Sequence, residues 1–505
     1  MFLHRNMLET AIKSGRVSGK GDDSMRTKKS RAFIASVGFA LIIGMFLNAQ
    51  QKTREKPETA QDMNSKDIAV LTQWIRSNAI PLDSVEAGRG FRDLQPLKKL
   101  FKDVRIVGLG EATHGSREFF QFKHRMLEFL VKELGFQIFA IEASYAGCNN
   151  INNYVLYGKG DPAEALASQK FWTWDTEEVR DMIQWMREYN TEVPGDKKVK
   201  FLGYDLQHLE QGMDLVEAFV TKHIPKYADT VSTAISHLRI DPFAITDLPK
   251  ADPEDKARIL SQLYEMMGIL SFHETPLIRE TSADAYAFVL HNARVITQFY
   301  AAYSKPMMGK DSFQSAAALR DLYMAENIEH ILNTEGPDAR VVVWAHNGHI
   351  SNATWGMNFP AMGSHLKKTL GDAYYALGFA FNRGSFQARL MDPNSDQNGA
   401  LIEFSVNSAP EGSVEWSLSK SGIGKFVLNF SSSPDNGIVQ KWLASAHPMR
   451  FIGAAFSPKI GDKQYMAPII PKDHFDGVVF FEMTSRARPN PTGKRGPYKK
   501  PEKKI

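Results

Sequence analysis

The chain has 505 residues, of which 43% are hydrophobic and 23% are charged, values that are ordinary for a globular protein. Its formal net charge of +4 arises at the two ends, because residues 1–31 and residues 486–505 hold eight Lys or Arg each, against three acidic residues and one. The remaining body has 45 basic and 53 acidic side chains. This balance argues against a nucleic-acid partner, since nucleic-acid-binding proteins usually present a basic stripe.

The first segment, residues 1–49, predicts a signal peptide. Four basic residues between positions 26 and 31 precede an uncharged run over residues 32–47, and Ala49 is a small residue at a suitable cleavage position. Met25 is a candidate for the true start. The alternative is an uncleaved anchor, although the run is short for a membrane span of about 20 residues. We therefore predict an exported protein, periplasmic or extracellular, whose membrane contact is limited to this segment if it stays uncleaved.

Residues 50–65 are polar and predict a linker, and a catalytic domain is expected over residues 66–485. Up to about residue 206, short apolar runs alternate with segments of helical periodicity. The predicted strands here are 104–109, 136–143 and 199–206, and the predicted helices are 67–78, 116–134 and 176–190. Such alternation is typical of a parallel sheet that is covered on both faces.

Residues 207–335 have helical patterns and few strand signals, and they predict a helical insertion that forms a lid or a wall. Strands are predicted again at 339–345, 373–381, 425–430, 449–456 and 477–481. The Lys-, Pro- and Gly-rich segment 486–505 predicts a basic disordered tail. The expected fold is α/β, with a parallel-rich central sheet flanked by helices and a large helical insertion.

Four of the predicted strands end in side chains that can do acid–base chemistry. They are Glu111 and His114 after the first strand, Glu142 on the second, Tyr204 and Asp205 on the third, and His346 and His349 after the fourth. The carboxyl ends of parallel strands meet at one edge of a sheet, where ligands bind. We therefore expect these side chains to share one pocket.

This set of residues favours ester hydrolysis by activated water. An imidazole titrates near neutral pH and suits general-base work, and a neighbouring carboxylate can fix its tautomer. Further histidines and a second carboxylate can polarise a carbonyl or protonate a leaving alkoxide. The sequence has no Gly-x-Ser-x-Gly nucleophile elbow, which counts against an ordinary serine hydrolase.

Structural interpretations compete with these assignments. Glu111 and His114 could cap the following helix, since acidic groups are favourable near a helix N-terminus. Arg125 and Trp174 are candidate substrate ligands, but they could equally be a salt-bridged side chain and a core residue. His346 and His349 could bind a metal, yet their spacing matches no standard zinc signature, and we predict no metal or other cofactor.

Several segments together resemble the erythromycin esterase family. They are GEATHGSREFF, FAIEA, YVLYGKGDPAEAL, LGYDLQ, VVWAHNGHI, IGAAFSP and FDGVVFFEM, within residues 67–485. The resemblance implies metal-independent hydrolysis of a macrolide lactone, in a deep cleft bordered by the helical portion of the fold. It also implies that His114 is the general base and that Glu111 and Glu142 are its carboxylate partners. His346 and His349 are then expected to assist the carbonyl and leaving oxygens.

The predicted function is therefore hydrolysis of a small-molecule carboxylic ester, for which a macrolide such as erythromycin is a candidate, without a covalent intermediate. Macrolide resistance is a candidate biological role for such an activity, and the sequence leaves that role open. Two alternatives remain open: a haem- or metal-binding protein on the same scaffold, and a metal-dependent hydrolase. Absorbance in the Soret region, bound zinc, or inactivation by a chelator distinguishes them from the esterase.

Overall fold

A computed structural model describes residues 63–240, 244–307, 315–355, 359–434 and 437–491. The predicted signal peptide over residues 1–49 lies outside the described residues, as does the part of the predicted tail beyond residue 491. Of the predicted linker, only its last residues are described, and the first helix begins within them at Ser65, capped by Asn64.

Strands and helices alternate along the first third of the described chain, as the sequence predicts. The strands are β1 (Ile80–Pro81), β2 (Ile106–Leu109), β3 (Ile138–Ser144), β4 (Lys200–Asp205), β5 (Val341–Trp344), β6 (Thr354–Trp355), β7 (Phe359–Pro360), β8 (Tyr374–Leu390), β9 (Leu401–Val406), β10 (Lys425–Asn429), β11 (His447–Arg450), β12 (Ala455–Phe456), β13 (Met466–Ile469) and β14 (Gly477–Thr484). The helices up to β4 are α1 (Ser65–Asn78), α2 (Leu97–Leu100), α3 (Arg117–Leu134), α4 (Asn149–Tyr157), α5 (Pro162–Ala167) and α6 (Glu177–Glu192). Thr176 caps α6 with its side chain, as its position in the sequence predicts.

The region between β4 and β5 is helical wherever the structure describes it. Its helices are α7 (Glu210–His223), α8 (Ala228–Ser236), α9 (Pro253–Phe272), α10 (Glu274–Glu280), α11 (Ala283–Tyr303) and α12 (Ala316–Glu335). The remaining helices are α13 (Asn347–Ile350), α14 (Met362–Leu370), α15 (Val414–Ser419), α16 (Gly437–Ala444) and α17 (Pro471–His474).

Ten strands form one mixed sheet in the order β1-β10-β14-β8-β2-β5-β3-β4, and β9 and β12 pair with β8. The six neighbours from β14 to β4 are parallel to one another, whereas β1, β10 and β9 pair antiparallel. The fold class is therefore α/β with a parallel-rich sheet, as predicted. The short pairs β6–β7 and β11–β13 lie outside this sheet.

Successive residues of the central strands point to opposite faces of the sheet, which gives the molecule two cores. On one face, Val107 and Trp344 pack with apolar side chains of α3 and α6. On the other face, Ile106 and Val343 pack with α1, α12, α14 and α16. Burial on both faces explains why these strands read as continuous apolar runs in the sequence.

Helices α7 to α11 have a separate hydrophobic core. Helix α12 differs from them, because Met324, Ile328 and Leu332 pack against the central sheet. The predicted insertion over residues 207–335 thus includes, in its last helix, a layer of the sheet domain itself.

The predicted tail begins too early. Ala487 and Asn490 are buried, and their backbone N–H groups donate to the backbone oxygens of Gly115 and Asp175, respectively. Residues 486–490 therefore belong to the folded domain.

Candidate active site

Four adjacent strands bring the predicted side chains to one edge of the sheet. In the order β2, β5, β3 and β4, these strands lead to Glu111, His346, Glu142 and Asp205, respectively. All four side chains are buried. Because the strands are parallel neighbours, the topology alone places carboxylates and imidazoles side by side.

His114 is oriented by Glu111, three residues earlier in the loop between β2 and α3. Glu111 Oε1 lies 2.5 Å from His114 Nδ1. The backbone oxygen of Glu111 accepts a hydrogen bond from the N–H of Asn347, which ties the loop to the end of β5. Glu111 and His114 therefore pair with each other instead of capping α3, and the pairing leaves Nε2 of His114 for other chemistry.

The second oxygen of Glu111 is held by Lys123, a residue on α3 that the sequence patterns did not single out. Lys123 Nζ and Trp344 Nε1 donate to Glu111 Oε2 over 2.8 Å and 2.7 Å. The ammonium group also lies 4.0 Å from the centre of the Trp344 ring. Burial alone raises the pKa of Glu111, but Lys123 and His114 outweigh it and the net pKa is lowered. Burial lowers the pKa of Lys123 to about 8, against the attraction of Glu111.

Glu142 occupies the middle of the site and contacts both histidines that follow β5. Its Oε2 accepts the backbone N–H of His346 over 3.0 Å, and its Oε1 lies 3.3 Å from His349 Nε2. Arg320 Nη2 donates to the same Oε1 over 2.7 Å. Burial raises the pKa of Glu142, but His349, Arg320 and His114 together hold it well below its usual range. Glu142 is therefore an ionised acceptor.

His346 faces His114, with 5.1 Å between the ring centres. Its Nδ1 accepts the N–H of Gly348 over 3.3 Å, which assigns the proton of the neutral ring to Nε2. Burial, followed by the charges of His114 and His349, lowers the pKa of His346 to about 3. His346 is thus a neutral imidazole that presents an N–H donor.

His349 lies in a second group of charges, supplied mainly by α12. Arg320 and Asp321 are the consecutive residues of this helix that contact it, and sequence reasoning missed both. Burial lowers the pKa of His349, but Asp321 and Glu142 outweigh that effect and raise it. The two histidines after β5 therefore have pKa values displaced in opposite directions.

Of the other predicted residues, Trp174 and Asp205 lie at the site, whereas Tyr204 has a structural role. Trp174 lies edge-on to His114, with 6.1 Å between ring centres, and its buried Nε1 has no hydrogen-bond partner among the described residues. Asp205 binds Arg320. The hydroxyl group of Tyr204 donates to the backbone oxygen of Trp344 over 2.7 Å, so it is used within the strand layer and not presented to a ligand.

Arg125 does not join the site, and its prediction as a substrate ligand is wrong. Its guanidinium group is buried between Asp93 and the backbone oxygens of Ser84 and Gly90. These contacts fasten α3 to the loop that precedes α2. The salt-bridge interpretation of Arg125 therefore holds, because a buried guanidinium needs its partners close by.

Within the described ranges, no three or more His, Cys, Asp or Glu side chains form an arrangement suited to a metal ion. None of the helices in those ranges is long and apolar enough to cross a membrane. Cys148 is buried, and burial raises the pKa of its thiol, as expected for a packing residue.

A solved structure from Bacillus cereus resembles this fold with a TM-score of 0.72 at 25% identity, covering 84% of this chain and 99% of the other. The solved structure of a mutant of the erythromycin esterase EreC in its open conformation has the same fold, with a TM-score of 0.58 at 15% identity, covering 79% of this chain and 95% of the other.

Among curated proteins, erythromycin esterase type II of Escherichia coli is 27% identical over 380 residues, which cover 72% of this chain and 90% of the relative. The sequence model of the erythromycin esterase family matches residues 131–484, a segment that contains Glu142, Asp205 and His346. Glu111 and His114 lie before this segment. Because the match spans more than half of the chain, the protein belongs to the erythromycin esterase family.

Proposed function

We propose that this protein hydrolyses a carboxylic ester by direct attack of a water molecule that His114 activates. Its family membership supports the broader assignment as a hydrolase. The observation that supports the finer proposal is the row Glu111, His114 and His346, in which a carboxylate orients one imidazole toward a second, neutral one.

In this mechanism, Glu111 accepts a hydrogen bond from the N–H at Nδ1 of His114, which keeps Nε2 as the base nitrogen. Nε2 removes a proton from water as the water oxygen bonds to the ester carbonyl carbon. The imidazolium that forms is stabilised by Glu111 and then returns the proton to the leaving alkoxide as the C–O bond breaks. Water is consumed, and one acid and one alcohol are released.

Neutral His346 is suited to stabilise the carbonyl oxygen of the ester during the reaction. Its N–H at Nε2 can donate to the oxygen as negative charge develops, without adding a charge that would compete for Glu142. A preorganised donor at such an oxygen typically contributes about 10²- to 10³-fold to the rate. Asp205 acts through Arg320 and not on the substrate, whereas Trp174 forms a wall beside His114.

We propose that the substrate is a macrolide lactone, because the Escherichia coli relative is named an erythromycin esterase. Hydrolysis of erythromycin would open its ring and add one water to its mass. A panel of other macrolides and simple esters tests the broader ester claim in the same assay.

The test is turnover by the purified protein, followed by mass spectrometry. We expect His114→Gln to lower kcat by about 10²-fold or more, because the base is lost. His237→Gln is the matched control, since His237 lies after α8 and pairs with Gln262 in the helical insertion. Wild-type activity should survive a chelator, and the mass of the quenched protein should show no acyl adduct.

Each contrary result removes a defined part of the proposal. No turnover of the whole panel overturns the esterase assignment. Full activity of the His114→Gln variant removes His114 from the base role, and an acyl adduct replaces direct attack by a covalent route. Loss of activity with the chelator, restored by added zinc, favours a metal-dependent hydrolase.

A further inference from the structure

Helix α12 supplies two charged side chains to the site at consecutive positions, Arg320 and Asp321. The helix is fixed on the sheet, because Met324, Ala325 and Ile328 pack in the same core as β3 and β5. Its second turn, which carries Arg320 and Asp321, therefore has a defined position relative to the strand ends. Any group held by that turn is held against the sheet as well.

All three nitrogens of the Arg320 guanidinium group contact other side chains of the protein. Its Nε and Nη2 bind the two carboxylate oxygens of Asp205, each over 2.9 Å. Nη2 also donates to Glu142 Oε1 over 2.7 Å, and Nη1 lies 3.1 Å from His349 Nε2. A planar fork that binds one carboxylate in two places fixes direction as well as distance. Arg320 thus links β4, β3 and α13, the short helix after β5.

Asp321 holds the opposite edge of the His349 ring. Its Oδ1 accepts a hydrogen bond from the N–H at His349 Nδ1 over 2.8 Å. The same oxygen accepts the backbone N–H of Met362, the first residue of α14, over 2.8 Å. Asp321 is therefore tied to two further elements, and the orientation of the His349 ring follows from the position of α12.

His349 consequently has protein partners on both nitrogens. Nδ1 is bound by Asp321, and Nε2 lies beside Arg320 and 3.3 Å from Glu142. The other oxygen of Glu142 accepts the N–H of His346. Contacts therefore run from α12 through His349 and Glu142 to His346, the residue that faces His114.

We propose that Arg320 and Asp321 are positioning residues of the esterase, and that His349 acts through Glu142 to place His346 instead of giving a proton to the substrate. This inference rests on the esterase activity proposed above. It assigns the work on the reacting atoms to His114 and His346, and it makes His349 part of their support.

The kinetic test compares Asp321→Asn with Asp321→Ala. The amide oxygen of Asn can still accept from His349 and Met362, so we expect Asp321→Asn to keep kcat within about threefold and Asp321→Ala to lower it by about 10- to 10²-fold, because small misplacements near reacting atoms are costly. KM should change little in both Asp321 variants.

Arg320→Lys keeps the positive charge but loses the planar fork of the guanidinium group, and it should lower kcat by about 10-fold. Glu326→Gln, on the same helix and paired with Arg294, is the matched control.

The pH profile separates positioning from proton donation. If His349 gave a proton in turnover, removing the charge of Asp321 would move the alkaline limb of the kcat profile to lower pH. We expect the profile of Asp321→Asn to keep the wild-type shape. A displaced limb, or an Asp321→Ala variant with full kcat, overturns the proposal.

A measurement without substrate keeps this test separate from the test of the esterase itself. Nitrogen NMR of labelled histidines in the ligand-free protein should show a proton on His349 Nδ1 in the wild type and in Asp321→Asn, and a changed His346 signal in Asp321→Ala. If no ester is turned over but the His349 and His346 signals are as expected, the esterase assignment fails. The contacts from Asp321 through His349 and Glu142 to His346 are then still supported. An unchanged His346 signal in Asp321→Ala refutes the proposal that Asp321 positions His346 through His349 and Glu142.

Discussion

At the scale of single residues, each buried anion of the site has a cationic partner. Lys123 pairs with Glu111, Arg320 is shared by Glu142 and Asp205, and Asp321 pairs with His349. A buried carboxylate without such a partner takes up a proton instead of staying charged. It then loses the ability to orient an imidazole. The cations are thus as much a condition of the proposed chemistry as the carboxylates.

Lys123 tests this reasoning directly. We expect Lys123→Met to lower kcat by about 10²-fold, since Glu111 loses its charge partner, and to destabilise the fold by about 3 to 5 kcal/mol, as breaking a buried pair does. Wild-type activity should decline above about pH 8, where Lys123 loses its proton. In Lys123→Arg this decline should disappear, because a guanidinium group stays protonated. The measurements are kcat against pH and unfolding in urea.

The control for this experiment is Lys132→Met, a change at an exposed position near the end of the same helix. It should leave both kcat and stability close to wild type. A Lys123→Met variant that keeps full activity would show that Glu111 does not depend on its cation, and a wild-type profile without an alkaline decline would contradict the assigned role of the Lys123 proton.

At the scale of elements, the loop bearing Glu111 and His114 is held by the far half of β8. The backbone oxygen of Gly115 accepts the N–H groups of Gln387 and Ala487 over 3.1 Å and 2.9 Å. A side chain at position 115 has no room, because a Cβ atom there would lie 2.1 Å from the backbone oxygen of Gln387. Close backbone approach therefore fixes how far His114 stands from the sheet.

Gly115→Ala should separate the loop from β8. We expect a loss of about 1 to 3 kcal/mol in the free energy of unfolding, typical of overpacking, and a fall in kcat of about 10²-fold, because the base moves relative to its partner. Gly195→Ala is the matched control, since a Cβ atom at position 195 meets nothing within 4 Å. Thermal unfolding and ester turnover report the two effects. Equal losses in both variants would mean that the clamp at Gly115 has no special role.

The strands also show which elements can be predicted from the sequence. β2 and β5 are short runs of β-branched and apolar residues buried on both faces, and the runs 104–109 and 339–345 located them within two residues. β8 was predicted only over residues 373–381 but extends to Leu390. Its second half contains Asn382, Arg383 and Gly384, which are poor strand signals, and it is held in the sheet by pairing with β9.

At the scale of the whole molecule, the convergence of the strand ends follows from parallel topology, so motifs at those ends could be predicted to share a pocket. Lys123, Arg320 and Asp321 could not be found in this way. They lie on helices, where a charged residue at an ordinary spacing resembles any solvated side chain. Only the packing of α3 and α12 on the sheet brings these charges to the site.

The C-terminal segment 485–490 gives the last prediction, because it joins parts of the site that are distant in sequence. Ala487 binds the loop of His114 through Gly115, and Asn490 binds Asp175, the neighbour of Trp174. Between them, the backbone oxygen of Arg488 accepts the N–H of Glu177 at the start of α6 over 2.7 Å. We therefore expect the segment to fix the distance between the base and the Trp174 wall.

A chain shortened after Thr484 should lose these hydrogen bonds together with the packing of the buried Ala487. Each bond contributes about 0.5 to 1.5 kcal/mol net, so we expect a loss of several kcal/mol and a kcat lower by about 10-fold or more. A chain shortened after Pro491 keeps every bond of the segment and serves as the control, with wild-type stability and turnover expected. Calorimetry and the ester assay compare the two chains. If both behave like the full-length protein, the distance between His114 and Trp174 is set by the sheet and α6 without help from the C-terminal segment.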